Sequence, residues 1–113
     1  MRSSIDMMIY LVMCHLVGDY VLQVDFIAKT KGTNFYHLLV HCVLYCLPFF
    51  IFFGIKPWGI ILFLSHVIVD EWKANPKIPK GKITPKWQYI IDQVCHYLIL
   101  ILLYYFITHG ILQ

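Results

Sequence analysis

Four apolar segments of this chain each carry two polar side chains one helical turn apart. His15 and Asp19, His37 and His41, His66 and Asp70, and Asp92 and His96 are the pairs. Residues at i and i+4 share one face of an α-helix, so each segment would present a polar stripe on an otherwise apolar surface. Gln23 extends the first stripe to i+8. A buried carboxylate is tolerated only when it is paired. The stripes must therefore face one another, and the fold that does this is an all-α bundle of four helices around a shared polar interior.

Composition says what surrounds such a bundle. At 113 residues the chain makes one domain, spanning 1–113, with 60% hydrophobic and 13% charged residues. A soluble domain this small has a large surface for its volume and needs more polar residues than that. The mean hydropathy of +0.72 fits a polytopic membrane protein, a four-transmembrane-helix bundle of two antiparallel hairpins. The spacing predicts helices over about 4–28, 35–53, 57–74 and 85–109. Ser3 or Ser4 caps the first and Gly32 turns out of it. Pro48 kinks the second, Pro57 opens the third, Asn75-Pro76 ends it, and Thr84-Pro85 starts the fourth. The third is shorter than the ~20 residues of a full span and suits a locally thinned bilayer. The N-terminal run lacks a small-residue cleavage site, so it reads as a retained helix rather than a signal peptide. Cys14, Cys42, Cys46 and Cys95 form no C-x-x-C pair and read as small hydrophobes.

Charge sets the orientation. Lys29, Lys31, Lys73, Lys77, Lys80, Lys82 and Lys86 fall in the first and third connections, against Arg2 and Lys56 on the other side. The positive-inside rule then places both loops in the cytoplasm and both termini outside. With that topology His15, His41, His66 and His96 form one layer, and Asp19, His37, Asp70 and Asp92 form a second, one turn nearer the cytoplasm. Trp58, Trp72 and Trp87 read as interfacial anchors, and His109 as an interfacial residue at the far end. The lysines are few and accounted for by topology, so nucleic-acid binding is not indicated.

The polar layers need a reason. A charged Asp deep in a spanning helix costs about 2.5–3.5 kcal/mol, whereas a structural zinc is worth ~10 kcal/mol or more. Imidazole and carboxylate together suit a divalent metal, zinc first, with manganese or iron as alternatives. The candidate ligands are His15, Asp19, His37, His41, His66, Asp70, Asp92 and His96. Asp19 or Asp92 could act as general base, and Lys73, three residues past Asp70, could neutralise a developing oxyanion. Gln23, Lys73 and Gln93 are the candidate substrate contacts. This points to a metal-dependent hydrolase acting on a phosphoester or lipid-linked group. A proton or divalent-cation transporter or channel stays open as an alternative, as does a non-catalytic membrane module that binds a host membrane protein. Beyond the bilayer, a homodimer closing the site is the expected partner.

The motifs His15-x-x-Gly18-Asp19-x-x-x-Gln23, the Leu-Leu-Val-His run ending at His41, His66-x-x-x-Asp70-x-x-Lys73 and Asp92-Gln93-x-x-His96 together resemble the domain-of-unknown-function family 3307. The resemblance implies a short membrane protein of bacteria or their phages, with the bacterial inner (cytoplasmic) membrane as its location, and no assigned activity. A looser likeness in motif style to membrane-bound metal-dependent hydrolases points toward hydrolysis.

Overall fold

The computed structural model describes residues 4–110. Its elements are α1 (Ser4–Leu16), a π-helical stretch (Val17–Val21), α2 (Asp25–Thr30), α3 (Phe35–Phe53), α4 (Gly59–Ala74) and α5 (Pro85–Thr108). The described residues form no strand, so the chain is all-helical. Several helix ends are set by local residues. Asn34 caps α3 by accepting from the His37 amide at 3.3 Å. Thr84 caps α5 by accepting from the Trp87 amide, with Pro85 in the first turn. Gly54 takes the positive φ of 85° that turns the chain out of α3. Pro48 sits inside α3 without ending it. The proposed Ser3 cap and Arg2 lie outside the described residues.

The first helix is the main departure. A single run from 4 to 28 is expected from hydropathy, but the chain leaves α-geometry after Leu16 and leaves helix altogether at residues 22–24. Val17, Gly18, Asp19, Tyr20 and Val21 are all weak helix formers, so nothing local holds the i→i−4 pattern there. The Leu22 amide instead reaches the Val17 carbonyl, five residues back, at 3.0 Å. Tertiary packing takes advantage of this weakness at Gly18. A Cβ on that residue would lie 2.5 Å from the Tyr45 carbonyl oxygen and 2.9 Å from its Cα. Only glycine lets the π-helical stretch lie this close to α3.

Packing closes α1, α3, α4 and α5 into a ring in which each touches two neighbours: α3 with α4, α4 with α5, α5 with α1 and α1 with α3. The interior of the ring has two parts. At one end Leu11, Phe49, Trp58, Leu62, Leu100 and Leu103 pack as an apolar core. At the other end the buried side chains are mostly polar: His15, Asp19, Lys31, His41, His66, Asp70, Asp92 and His96, with Leu38 and Cys42 buried on α3 to either side of His41. Trp58 corrects an expectation. It is buried in the apolar core, edge-on to Phe53 with ring centroids 5.6 Å apart, and so is not an interfacial anchor.

The outside of the ring reverses the usual amphipathic pattern. On α4 the inward stripe is Leu62, His66 and Asp70, while the outward stripe is Ile60, Leu64 and Ile68, with Ile68 69% exposed. On α1 the outward residues include Ile5, Ile9 and Met13; on α5 they include Val94, Leu98, Ile101 and Tyr105. Two helices, α3 with 19 residues and α5 with 24, are long and apolar enough to cross a membrane. At a rise of ~1.5 Å per residue they reach about 28 and 36 Å. α1 with 13 residues and α4 with 16 fall short of the ~20 residues of a full span. Of the three helices expected to have spanning length, the second and fourth have it, while the first loses it by breaking after Leu16; the third is short, as expected.

Candidate functional site

The polar end of the ring is assembled from all four long helices and the first loop. α3 delivers His41 and α4 delivers His66, whose Nε2 atoms lie 2.9 Å apart. The π-helical stretch swings Asp19 over both, with Oδ1 at 3.4 Å from His41 Nε2 and 3.6 Å from His66 Nε2. Asp70, one turn beyond His66 on α4, brings Oδ2 to 3.3 Å from the same His41 nitrogen. From α5, Asp92 and His96 pair with each other at 3.1 Å. Two groups of three donors result, Asp19-His41-His66 and Asp19-Asp92-His96, each with its atoms within 4.8 Å of one another and all three residues buried. Asp19 belongs to both.

The balance of protons makes this cluster unusual. His41 Nε2 faces two carboxylate oxygens and a second imidazole nitrogen, yet a ring nitrogen bears at most one hydrogen. One N–H cannot serve both carboxylates as well as the facing imidazole nitrogen, whose own role depends on its tautomer. The buried Nδ1 atoms of His41 and His66 find no hydrogen-bond partner among the described residues, and an unpaired buried polar atom costs about 1–3 kcal/mol. Side chains kept only to join helices would be expected to pair all their polar atoms. Lewis-basic atoms converging with too few protons suit a cation, and the histidine and carboxylate donors fit zinc or a similar divalent metal.

Around this centre the candidate residues take distinct places. His15 is fully buried, but both of its nitrogens are committed, Nδ1 to the Tyr45 hydroxyl at 2.8 Å and Nε2 to Gln93 Oε1 at 3.1 Å. Because the Gln93 oxygen accepts, the neutral ring donates from Nε2 and accepts from Tyr45 at Nδ1. His15 thus braces the site and joins neither donor group. Gln93 is likewise committed at both ends of its amide. Its nitrogen donates to Asp19 at 2.9 Å and to Asp92 at 3.1 Å, which makes it a positioning residue where a substrate contact is expected. His37 lies apart from the donor groups, bonded to Thr30 Oγ1 at 2.5 Å and packed on Phe26. It lies in the first turn of α3, one turn before His41, where α2 packs against it. Gln23 does not continue the His15 stripe, because the break at residues 22–24 turns it toward Lys31, whose Nζ it accepts from at 2.6 Å. Lys73 reaches Asp92 at 3.3 Å and Asp70 at 3.9 Å.

Two central residues escape a reading of the paired stripes. Lys31, read as an orientation charge, is only 6% exposed and its Nζ lies 2.8 Å from Asp70 Oδ2. Gly32 permits this: a Cβ there would overlap the Ala74 carbonyl, so the loop seats directly on the end of α4. No periodic signal marks a loop lysine as buried. Tyr45 was more accessible to inference, since it follows His41 at i+4 just as Gln23 follows Asp19. Its ring stacks on His66 with centroids 3.8 Å apart, and it meets Phe49 at a tilt with centroids 5.5 Å apart. Above it the rings of His66 and His96 stack at 4.3 Å.

The chain belongs to the family described as a protein of unknown function (DUF3307), whose model matches residues 7–112. No curated protein and no solved structure matches it.

Proposed function

We propose that this member of the DUF3307 family is a multi-pass protein of the bacterial inner membrane that holds a divalent metal, zinc by preference, in its polar end and hydrolyses a phosphoester or lipid-linked substrate at the cytoplasmic leaflet. The single observation that carries the metal is the convergence of Asp19, His41 and His66 on a point supplied with too few protons, with Asp70 beside His41. The membrane reading rests on the outward apolar stripes of α1, α4 and α5 around a polar interior. In water such a surface would be an aggregation liability. The molecule measures 45 Å along its longest axis, which suits a bilayer of ~40–45 Å with headgroups. In this reading all four long segments are embedded, α4 in a thinned region. Lys29, Lys31, Lys73 and Lys77 gather at one end, which the positive-inside rule assigns to the cytoplasm, leaving both termini outside.

In this reading Asp19, His41, His66 and Asp70 hold the ion. A divalent metal there would supply Lewis acidity. Asp92, oriented by its bond with His96, would accept the proton of an attacking water. Lys73, beside Asp92, offsets charge developing on the substrate. Gln93 keeps Asp19 and Asp92 in register from behind. The apolar core filling the far half of the ring weighs against conduction, since it gives an ion no polar route onward.

Metal content by mass spectrometry on the detergent-purified chain tests the centre. We expect one or two equivalents in the wild type and none in a His41→Ala, His66→Ala double variant. Absence of metal from both after zinc or manganese is offered would overturn the reading. Asp92→Asn separates chemistry from binding: it should keep the metal and lose at least about a hundredfold in hydrolysis of a chromogenic phosphate ester, the size of effect general-base removal commonly has.

A further inference from the structure

Two ammonium groups already stand where the carboxylates of the polar end need positive charge. Lys31 Nζ lies 2.8 Å from Asp70 Oδ2, and Lys73 Nζ lies 3.3 Å from Asp92 Oδ2. The same two lysines also line a cavity of about 400 Å³ together with Lys29, Gln23, Gly32 and Thr33, and no acidic side chain is among its lining residues. The lysines therefore stand between two demands: the carboxylates on one side and the cavity on the other. A divalent ion held by Asp19, Asp70 and the histidines would take over the charge of Asp70, lie beside Asp92 through their shared neighbour Asp19, and repel both nearby ammonium groups. Both lysines have long flexible stems; Lys73 is 25% exposed at its side chain, and the buried Lys31 already donates to Gln23, which lines the cavity, so each can shift toward it without unfolding the site.

We propose that this cavity is an anion site for a phosphate group, and that metal binding opens it by releasing Lys31 and Lys73 from Asp70 and Asp92 to join Lys29. The proposal rests on the metal reading given above and names what that reading leaves open, the chemistry by which a substrate is held and the order in which metal and substrate bind. With metal absent, Asp70 and Asp92 neutralise two of the three lysines and the cavity holds an anion weakly. With metal present, three positive charges face it. Because the two sites share the lysines, the coupling is reciprocal: phosphate tightens metal binding by the factor that metal tightens phosphate. The phosphate is either free in solution or the headgroup of an anionic lipid.

The test uses the full-length chain in phosphatidylcholine nanodiscs, metal-free and after zinc loading with excess zinc removed, and reads inorganic phosphate binding by equilibrium dialysis. Zinc should tighten phosphate roughly tenfold or more, within the usual range for coupled sites. Lys29→Gln should lose about tenfold in phosphate affinity at unchanged zinc content. Lys31→Gln should bind zinc more tightly, since a competing ammonium is gone, and show less zinc-dependent tightening of phosphate. That opposite pair of changes is not produced by a purely structural lysine. Repeating the titration in discs containing phosphatidic acid tells the sources apart: weakened phosphate binding there identifies a lipid headgroup as the occupant, and unchanged binding identifies a soluble phosphate. Zinc taken up with phosphate affinity unaltered would overturn this inference alone. Failure to take up zinc would overturn the metal reading and the inference together.

Discussion

The two ends of the ring are built on the same four helices, yet they are held together by opposite means. Along α4 one inward stripe runs from Leu62 to His66 to Asp70; along α5 it runs from Leu103 and Leu100 to His96 and Asp92. α3 passes from Phe49 through Tyr45 to His41, and α1 from Leu11 to His15. At the apolar end, close packing is the source of stability, and each side chain can be valued by its volume. At the polar end, stability depends on every polar group finding a partner, and two ring nitrogens find none among the described residues. Tyr45 marks the border, its ring packed against Phe49 and its hydroxyl on His15. The apolar end holds the helices in position, and the polar end uses that rigidity to keep like-charged carboxylates close together.

Substitutions can break this contrast. Phe49→Ala, in the apolar end, should have the largest effect on folding, about 3–5 kcal/mol, read as a lowered unfolding midpoint in detergent. Metal content at temperatures where the variant remains folded should be retained. A variant that stays folded yet loses its metal would show that the two ends are not separable. Gly18→Ala comes next, at about 1–3 kcal/mol, because its Cβ meets the Tyr45 backbone. Unlike Phe49→Ala it should also displace Asp19 and reduce metal uptake. Equal metal content in Gly18→Ala and wild type would mean that the π-helical stretch does not place the ligand. The smallest effect belongs to Tyr45→Phe, which keeps the stack on His66 and removes one hydrogen bond to His15, about 1 kcal/mol. A loss several times larger would assign the border residue to the polar network rather than to packing.

Much of this architecture can be read along the chain. Thr84-Pro85 and Asn34 mark helix starts by supplying caps, and Gly54 marks a turn by its freedom at positive φ. The i, i+4 pairs on α4 and α5 could be placed inward with confidence in their period, and His66, Asp70, Asp92 and His96 are all buried. The first stripe misleads for a physical reason. His15, Asp19 and Gln23 share a face only if α-geometry continues, and it stops after Leu16. His37 misleads similarly, since spacing aligns it with His41 but the short α2 and Thr30 capture it instead.

By itself the sequence determined that the chain is helical, that its helices carry polar residues inward and apolar residues outward, and which histidines and aspartates could meet. Those follow from period, propensity and hydropathy, which are local properties of the chain. Only the tertiary structure decided that Asp19 sits between two donor groups, that Lys31 folds back under Asp70, and that Gln93 ties His15 to two carboxylates. These depend on close approaches at Gly18 and Gly32 between segments distant in the chain. Whether backbones can touch is set by the surfaces of both partners, and no stretch of sequence contains both.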